Sequence, residues 1–152
     1  MGDTTHYLAS RGYHVTSVEL DSRLAALARA RFDGVGNVQV IEGDSGKLMP
    51  GLIVKLEQPA LFYLDGHYSG GDTGKGEQET PIVKEIEAIL AGAPIGSFVI
   101  IDDARCFGLM PDYPPRDEFL TMLQKRGVGY AIVKDDSIRF SIRQNVRREP
   151  NN

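Results

Sequence analysis

Residues 61–81, LFYLDGHYSGGDTGKGEQETP, contain the transition that decides the fold, because a buried strand ends here at an aspartate. Residues 61–64 form an unbroken apolar run, which is typical of a parallel strand covered on both faces. Asp65 interrupts the run, and a polar, glycine-rich loop follows it. Thr80 and Pro81 suit the cap and the first position of a helix. The stretch therefore predicts a strand, a loop and a helix in succession.

The loop contains Gly74-Lys75, which raises the question of a phosphate-binding loop. That motif requires a glycine five residues before the Gly-Lys pair and a serine or threonine directly after it. Ser69 and Gly76 occupy those two positions. The sequence therefore argues against a phosphate loop and directs attention to the strand end at Asp65.

Helical and strand patterns alternate along the rest of the chain. Residues 130–134 and 138–142 are two strands with a very short link, which requires an antiparallel hairpin. The sequence predicts an α/β, three-layer domain whose sheet is mostly parallel, with an antiparallel strand near its end. The other predicted strands lie at 14–20, 37–41, 60–64 and 97–101.

The composition limits the classes of function. The chain has 152 residues, 17 basic and 21 acidic, which gives a net charge of −4 and predicts no nucleic-acid partner. The single cysteine excludes an internal disulfide framework and is compatible with a reducing, cytoplasmic location. The sequence shows neither a signal peptide nor an apolar run long enough to span a membrane. A homo-oligomer is compatible with these features.

Acidic residues end four predicted strands in succession. They are Glu19, Asp44, Asp65 and the pair Asp102-Asp103. Ligands of open α/β sheets bind beyond the carboxyl ends of the strands, so we predict a functional cluster there rather than four coincident helix caps.

Individual roles remain open at the level of sequence. Glu19 suits hydrogen bonding to a ribose diol, at a spacing from Gly2 close to the expected ~20 residues, but is also an ordinary strand-end carboxylate. Asp44 is either an acceptor for the amino group of a base or a turn residue paired with Ser45. His67 is either a general base or a loop histidine bonded to a backbone carbonyl.

The acids after the third and fourth of these strands suggest a metal. If those strands are neighbours, Asp65, Asp102 and Asp103 lie close together and repel one another unless a cation compensates. Carboxylate oxygens favour Mg²⁺ over zinc. The sequence therefore predicts a divalent-cation site formed by these three residues.

The segments VTSVELD, IEGDS, LFYLDGHYSGGDT, ETPIVKEIEAIL and VIIDDAR occur in this order and cover nearly the whole chain. Together they resemble a class I, Rossmann-type S-adenosylmethionine (SAM)-dependent methyltransferase, similar in pattern to catechol and macrocin O-methyltransferases. The resemblance implies that the cofactor is held by Gly2, Glu19, Asp44, Ser45 and Asp65. It also implies that Asp65, Asp102 and Asp103 bind Mg²⁺. Asp65 and His67 would then serve catalysis, with a small hydroxylated molecule as the methyl acceptor.

One departure from the family concerns its first strand and glycine-rich turn, which would precede Gly2. The resemblance therefore implies an amino-terminally truncated methyltransferase-like domain over residues 1–143, with the first central strand missing, and a flexible polar tail over 144–152. Such a chain would bind the cofactor weakly or be inactive. The alternatives are a non-catalytic binding module with this fold and a Mg²⁺-dependent nucleotide-binding enzyme.

Overall fold

The structure is a computed structural model that describes residues 2–65 and 80–143. The predicted general base His67, the Gly74-Lys75 pair and the tail 144–152 lie outside the described residues.

The first half of the chain alternates helices and parallel strands. Its elements are α1 (Asp3–Ser10), β1 (Val15–Glu19), α2 (Ser22–Arg31), β2 (Val38–Glu42) and α3 (Ser45–Ile53). The carboxylate of Asp21 caps α2 by accepting a hydrogen bond from the Leu24 amide at 2.9 Å. Asp44 caps α3 in the same way through the Gly46 amide at 2.9 Å. Because these acids cap helices that follow strands, each strand turns directly into a helix at its carboxyl end.

The second half contains the larger sheet. Its elements are β3 (Leu61–Leu64), α4 (Ile82–Gly92), β4 (Phe98–Ile101), a 3-10 turn (Ala104–Cys106), α5 (Arg116–Lys125), β5 (Ala131–Lys134) and β6 (Ser137–Ser141). The predicted hairpin is confirmed, since β5 and β6 pair antiparallel. Helix α4 begins one residue later than predicted, with Pro81 rather than Thr80 at the cap position. The Thr80 hydroxyl oxygen accepts a hydrogen bond from the Ile82 amide at 3.3 Å.

The strands form two hydrogen-bonded sheets. One pairs β1 with β2 in parallel, and the other has the order β3-β4-β6-β5, in which β3 and β4 are parallel and β6 runs against both of its neighbours. The α/β class with mostly parallel strands and an antiparallel strand near the end is therefore confirmed. Within the described residues, β1 and β3 each have one edge without a strand partner.

Strand β3 is less covered than its apolar sequence predicts. Leu61 and Tyr63, which share one face, are 47% and 39% exposed, whereas Leu64 on the other face is 6% exposed. The prediction that both faces of this strand are covered is therefore wrong for the described part of the chain. A strand with one open face is at the surface, where its polar Tyr63 hydroxyl can take part in a site.

The hydrophobic core fills the space between the larger sheet and its helices. Helix α4 contributes Ile86 and Ile89, helix α5 contributes Phe119 and Leu123, and strand β6 contributes Phe140, all at most 2% exposed. Helix α3 joins this core through a close approach to α4, because a Cβ at Gly46 would lie 3.2 Å from Cβ of Pro81. None of the described helices has the length and apolar character needed to cross a membrane.

Candidate functional site

Glu19 stands at the carboxyl end of β1, in register with Glu42 at the end of β2. Its Oε1 accepts a hydrogen bond from the Asp21 amide at 2.9 Å, which fixes the side chain against the turn into α2. Within the described residues the other oxygen, Oε2, makes no hydrogen bond. A half-buried carboxylate held in this way can accept hydrogen bonds from a diol without losing further side-chain conformational entropy on binding.

Asp44 lies on the adjacent strand end, beside Glu19. One oxygen caps α3, and the other lies 3.7 Å from Nζ of Lys47. Asp44 is therefore a helix cap in the turn after β2, and Ser45 lies near Glu85 of α4 and lowers the pKa of that carboxyl. Asp44 and Ser45 therefore sit where helix α3 docks on α4.

Glu85 is a site-adjacent residue that the sequence reasoning missed. Only 3% of its surface is exposed, and burial raises the pKa of its carboxyl, with a smaller raising effect from Asp44 and an opposing one from Ser45. The signal available in the sequence was its position among the apolar residues of α4, between Ile82 and Ile89. A carboxyl group at an apolar helical position has to be buried together with a partner.

Substituting Glu85→Gln should remove a pH-dependent part of the stability. Because the pKa is raised in the folded state, the carboxyl contributes stability below its ordinary pKa, and this contribution is lost as the pH rises through the raised value. The wild-type free energy of unfolding should therefore fall between pH 5 and pH 8 relative to that of the variant. Urea unfolding at both pH values measures this, with exposed Glu87→Gln on the same helix as the control. Parallel pH profiles for wild type and Glu85→Gln would contradict the assignment.

The structure places Gly2 away from Glu19 and Asp44. Gly2 has a positive φ of 74° and precedes α1, and a Cβ there would lie 3.1 Å from Cε2 of Phe32. Phe32 follows the last residue of α2, whereas Asp21 caps the first turn of that helix near Glu19. A helix of this length separates its two ends by roughly 15 Å, since each residue adds about 1.5 Å. Gly2 is thus not brought together with Glu19 and Asp44.

The three acids predicted as metal ligands gather around Tyr63. The Tyr63 hydroxyl donates a short hydrogen bond to Oδ2 of Asp102, and Oδ1 of Asp102 accepts from the Asp103 amide at 2.9 Å. Burial raises the pKa of Tyr63, and Asp102, Asp65 and Asp103 raise it further. The phenol therefore stays protonated at neutral pH and acts as a donor.

These acids do not fit a magnesium site. Both oxygens of Asp102 are hydrogen-bonded, and Oδ1 of Asp103 lies 2.6 Å from Nη1 of Arg105 in an ion pair. Across residues 2–65 and 80–143, no group of three or more His, Cys, Asp or Glu side chains is arranged to hold a metal ion. The Mg²⁺ prediction from the sequence thus finds no support in this part of the chain, where Asp102 and Asp103 are compensated by protein donors.

Tyr113 is a second residue of this site that the sequence did not single out. It comes from the proline-rich loop before α5. Burial raises the pKa of its hydroxyl, Thr80 opposes this, and the nearby Cys106, Asp103 and Asp65 raise it further. Its ring packs edge-on against Phe107, with ring centroids 5.1 Å apart. These contacts connect the acidic strand ends to the core.

Two shallow clefts open on the described surface. One, of about 410 Å³, lies beside the acidic strand ends and is lined by residues of the 3-10 turn and the proline-rich loop, including Arg105, Phe107 and Arg116. The other, of about 340 Å³, lies at the far end of β2 and includes Phe32 and Val38. The first borders Asp103, through Ala104 and Arg105, whereas the second lies next to Gly2.

Comparison with known proteins identifies the fold. No family model matches the chain, and no curated protein is significantly similar to it in sequence. A methyltransferase from Podospora anserina solved with S-adenosylhomocysteine (SAH) superimposes with a TM-score of 0.53 at 18% identity, over 86% of this chain and 61% of that one. An rRNA methylase from Streptococcus thermophilus superimposes with a TM-score of 0.52 at 19% identity, over 93% of this chain and 83% of that one. A protein described as an rRNA methylase from Clostridium thermocellum gives 0.53 at 14% identity, over 93% and 83%.

The chain therefore has the Rossmann-like methyltransferase fold, as the sequence resemblance implies, and spans 61% of the length of the Podospora protein. The expectation of no nucleic-acid partner is contradicted. It rested on the net charge of −4, yet proteins of this fold include rRNA methylases, so an overall negative charge does not exclude an RNA substrate.

Proposed function

We propose that the protein is a SAM-dependent methyltransferase that binds its cofactor at the carboxyl ends of β1 and β2. The observation that carries this proposal is the pair Glu19 and Asp44, which stand on adjacent parallel strand ends in a fold whose Podospora member holds SAH. Glu19 would accept hydrogen bonds from the ribose hydroxyls through Oε2. Asp44 and Ser45 would lie beside the adenine, and the buried carboxyl of Glu85 on α4 would lie next to Ser45.

The transferred group is a methyl attached to a sulfonium. An acceptor oxygen forms a bond to the methyl carbon while the carbon–sulfur bond breaks, leaving a neutral thioether and releasing the hydroxyl proton. Asp65, exposed at the end of β3 and close to Tyr113, is the described group best placed to orient the acceptor hydroxyl and accept its proton. His67 remains a predicted alternative for that role. We assign no step to a divalent cation, because the acids of this site are compensated by Tyr63 and Arg105.

A small hydroxylated molecule is the acceptor that we favour. The cleft beside the acidic strand ends, of about 410 Å³, falls within the size range of small-ligand pockets. Exposed Leu109, 82% accessible, and buried Phe107 give it an apolar wall. RNA is the second candidate, favoured by the rRNA methylases among the proteins of similar fold.

Calorimetric titration with SAM, SAH and ATP tests the proposed cofactor. We expect saturable binding of SAM and SAH and none of ATP. Preference for ATP would favour a nucleotide-binding enzyme instead, and absence of binding for all three would favour a non-catalytic module. If SAM binds, transfer of a labelled methyl group to catechol-type phenols or to ribosomal RNA then distinguishes the two acceptor classes.

A further inference from the structure

Arg105 places a positive charge among the acids at the end of β4. Its Nη1 lies 2.6 Å from Oδ1 of Asp103, a carboxylate whose side chain is only 11% exposed. The same nitrogen also contacts Oδ2 of Asp136, in the turn between β5 and β6. A guanidinium is always charged in proteins, so this compensation is present at every physiological pH.

The backbone fixes Arg105 in this position. Asp103 has a left-handed conformation, with φ of 57°, which starts the 3-10 turn and brings the side chain of Arg105 back toward Asp103. The amide of Arg105 donates to Oδ1 of Asp136 at 2.9 Å, and the amide of Ala104 donates to the carbonyl of Asp136 at 2.8 Å. The β5–β6 turn therefore holds the segment that carries the cation.

The neighbouring acid also has protein donors. Asp102 accepts from the Tyr63 hydroxyl and from the Asp103 amide, one hydrogen bond to each oxygen. A divalent ion at this strand end would have to displace the phenol and approach the guanidinium. Both steps oppose binding, because Mg²⁺ demands near-octahedral oxygen ligands and like charges repel.

We propose that Arg105 is the built-in cation of this site and excludes divalent metals from Asp102 and Asp103. In this arrangement the protein needs no metal to hold these carboxylates together. Removing the charge of Arg105 should therefore raise the affinity of Asp102 and Asp103 for a divalent cation, because the guanidinium no longer repels it. The inference stands independently of the methyltransferase activity, since it concerns the affinity of the protein for a metal alone.

Mn²⁺ is a suitable probe, because its binding is read directly by electron paramagnetic resonance without any cofactor or acceptor. We expect wild type to bind Mn²⁺ weakly and Arg105→Gln to bind it at least tenfold more tightly. Arg116→Gln is the matched control, an exposed arginine of the same cleft that should leave the Mn²⁺ affinity at the wild-type value. Arg105→Lys, which keeps the charge, should gain less than the glutamine variant.

Two results would overturn the proposal. The first is a tight Mn²⁺ site in the wild-type protein that Asp102→Asn removes. The second is a folded Arg105→Gln variant, checked by circular dichroism, with unchanged Mn²⁺ affinity. If Arg105→Gln does not fold, Mn²⁺ binding by wild type and by Asp102→Asn still tests the proposal. If Arg105 keeps divalent metals away from Asp102, both proteins should bind Mn²⁺ equally weakly.

Discussion

Replacing Phe119 with alanine should lower the free energy of unfolding by about 3–5 kcal/mol, the range measured when a buried phenylalanine is truncated. Phe119 is 1% exposed and packs against Phe107 with ring centroids 4.8 Å apart. Its removal leaves a cavity between α5 and the larger sheet. Because a domain of this size is stabilised by only about 5–15 kcal/mol, the loss is a large part of the total.

Guanidinium chloride unfolding at 25 °C measures this change. Leu109→Ala is the matched control, since Leu109 is 82% exposed and its truncation should alter stability by no more than about 0.5 kcal/mol. Phe119→Leu should lie between the two variants, because it leaves a smaller void. A loss below about 1 kcal/mol for Phe119→Ala would show that α5 does not pack into the core as described.

Replacing Glu19 with alanine should weaken SAH binding by roughly 10- to 100-fold. Hydrogen bonds to a charged group contribute about 1.5–3 kcal/mol, and each 1.4 kcal/mol is a factor of ten in the dissociation constant. Glu19 is already held by the Asp21 amide, so its loss removes an oriented acceptor rather than a flexible one.

Glu42→Ala is the control for Glu19→Ala. Glu42 ends the adjacent strand in register with Glu19, but its carboxylate pairs with Arg29 at 3.3 Å and both side chains are largely exposed. Its removal should change stability little and weaken SAH binding far less than Glu19→Ala, because the Glu42 carboxylate is already paired with Arg29. Equal SAH affinities for wild type and Glu19→Ala, measured by calorimetry, would remove Glu19 from the ribose site.

The sequence predicted the strand ends because they depend on local patterns. The apolar run 61–64 and the short link between residues 130–134 and 138–142 act over a few residues, and the structure contains the corresponding strand β3 and the β5–β6 hairpin. Helix α3 begins at Ser45, where the carboxylate of Asp44 caps it, a role that the sequence did not predict for Asp44.

The chemistry of the acidic cluster depended on contacts distant in sequence. Arg105 meets Asp136, 31 residues away, and Tyr63 meets Asp102, 39 residues away. Carboxylates at neighbouring strand ends look like metal ligands until such partners are known. The sequence therefore predicted which acids come together. It did not predict the Arg105 guanidinium and the Tyr63 hydroxyl that offset the negative charge of Asp103 and Asp102.

Hydrogen–deuterium exchange with and without SAH tests the proposed cofactor location most directly. We expect SAH to slow exchange at residues 19–22 and 42–46, where β1 and β2 end and α2 and α3 begin, with little change at 32–38. These segments flank Glu19 and Asp44, whereas 32–38 border the cleft at the opposite end of β2. Slowed exchange confined to residues 32–38, with none at 19–22 or 42–46, would contradict a cofactor site at the carboxyl ends of β1 and β2.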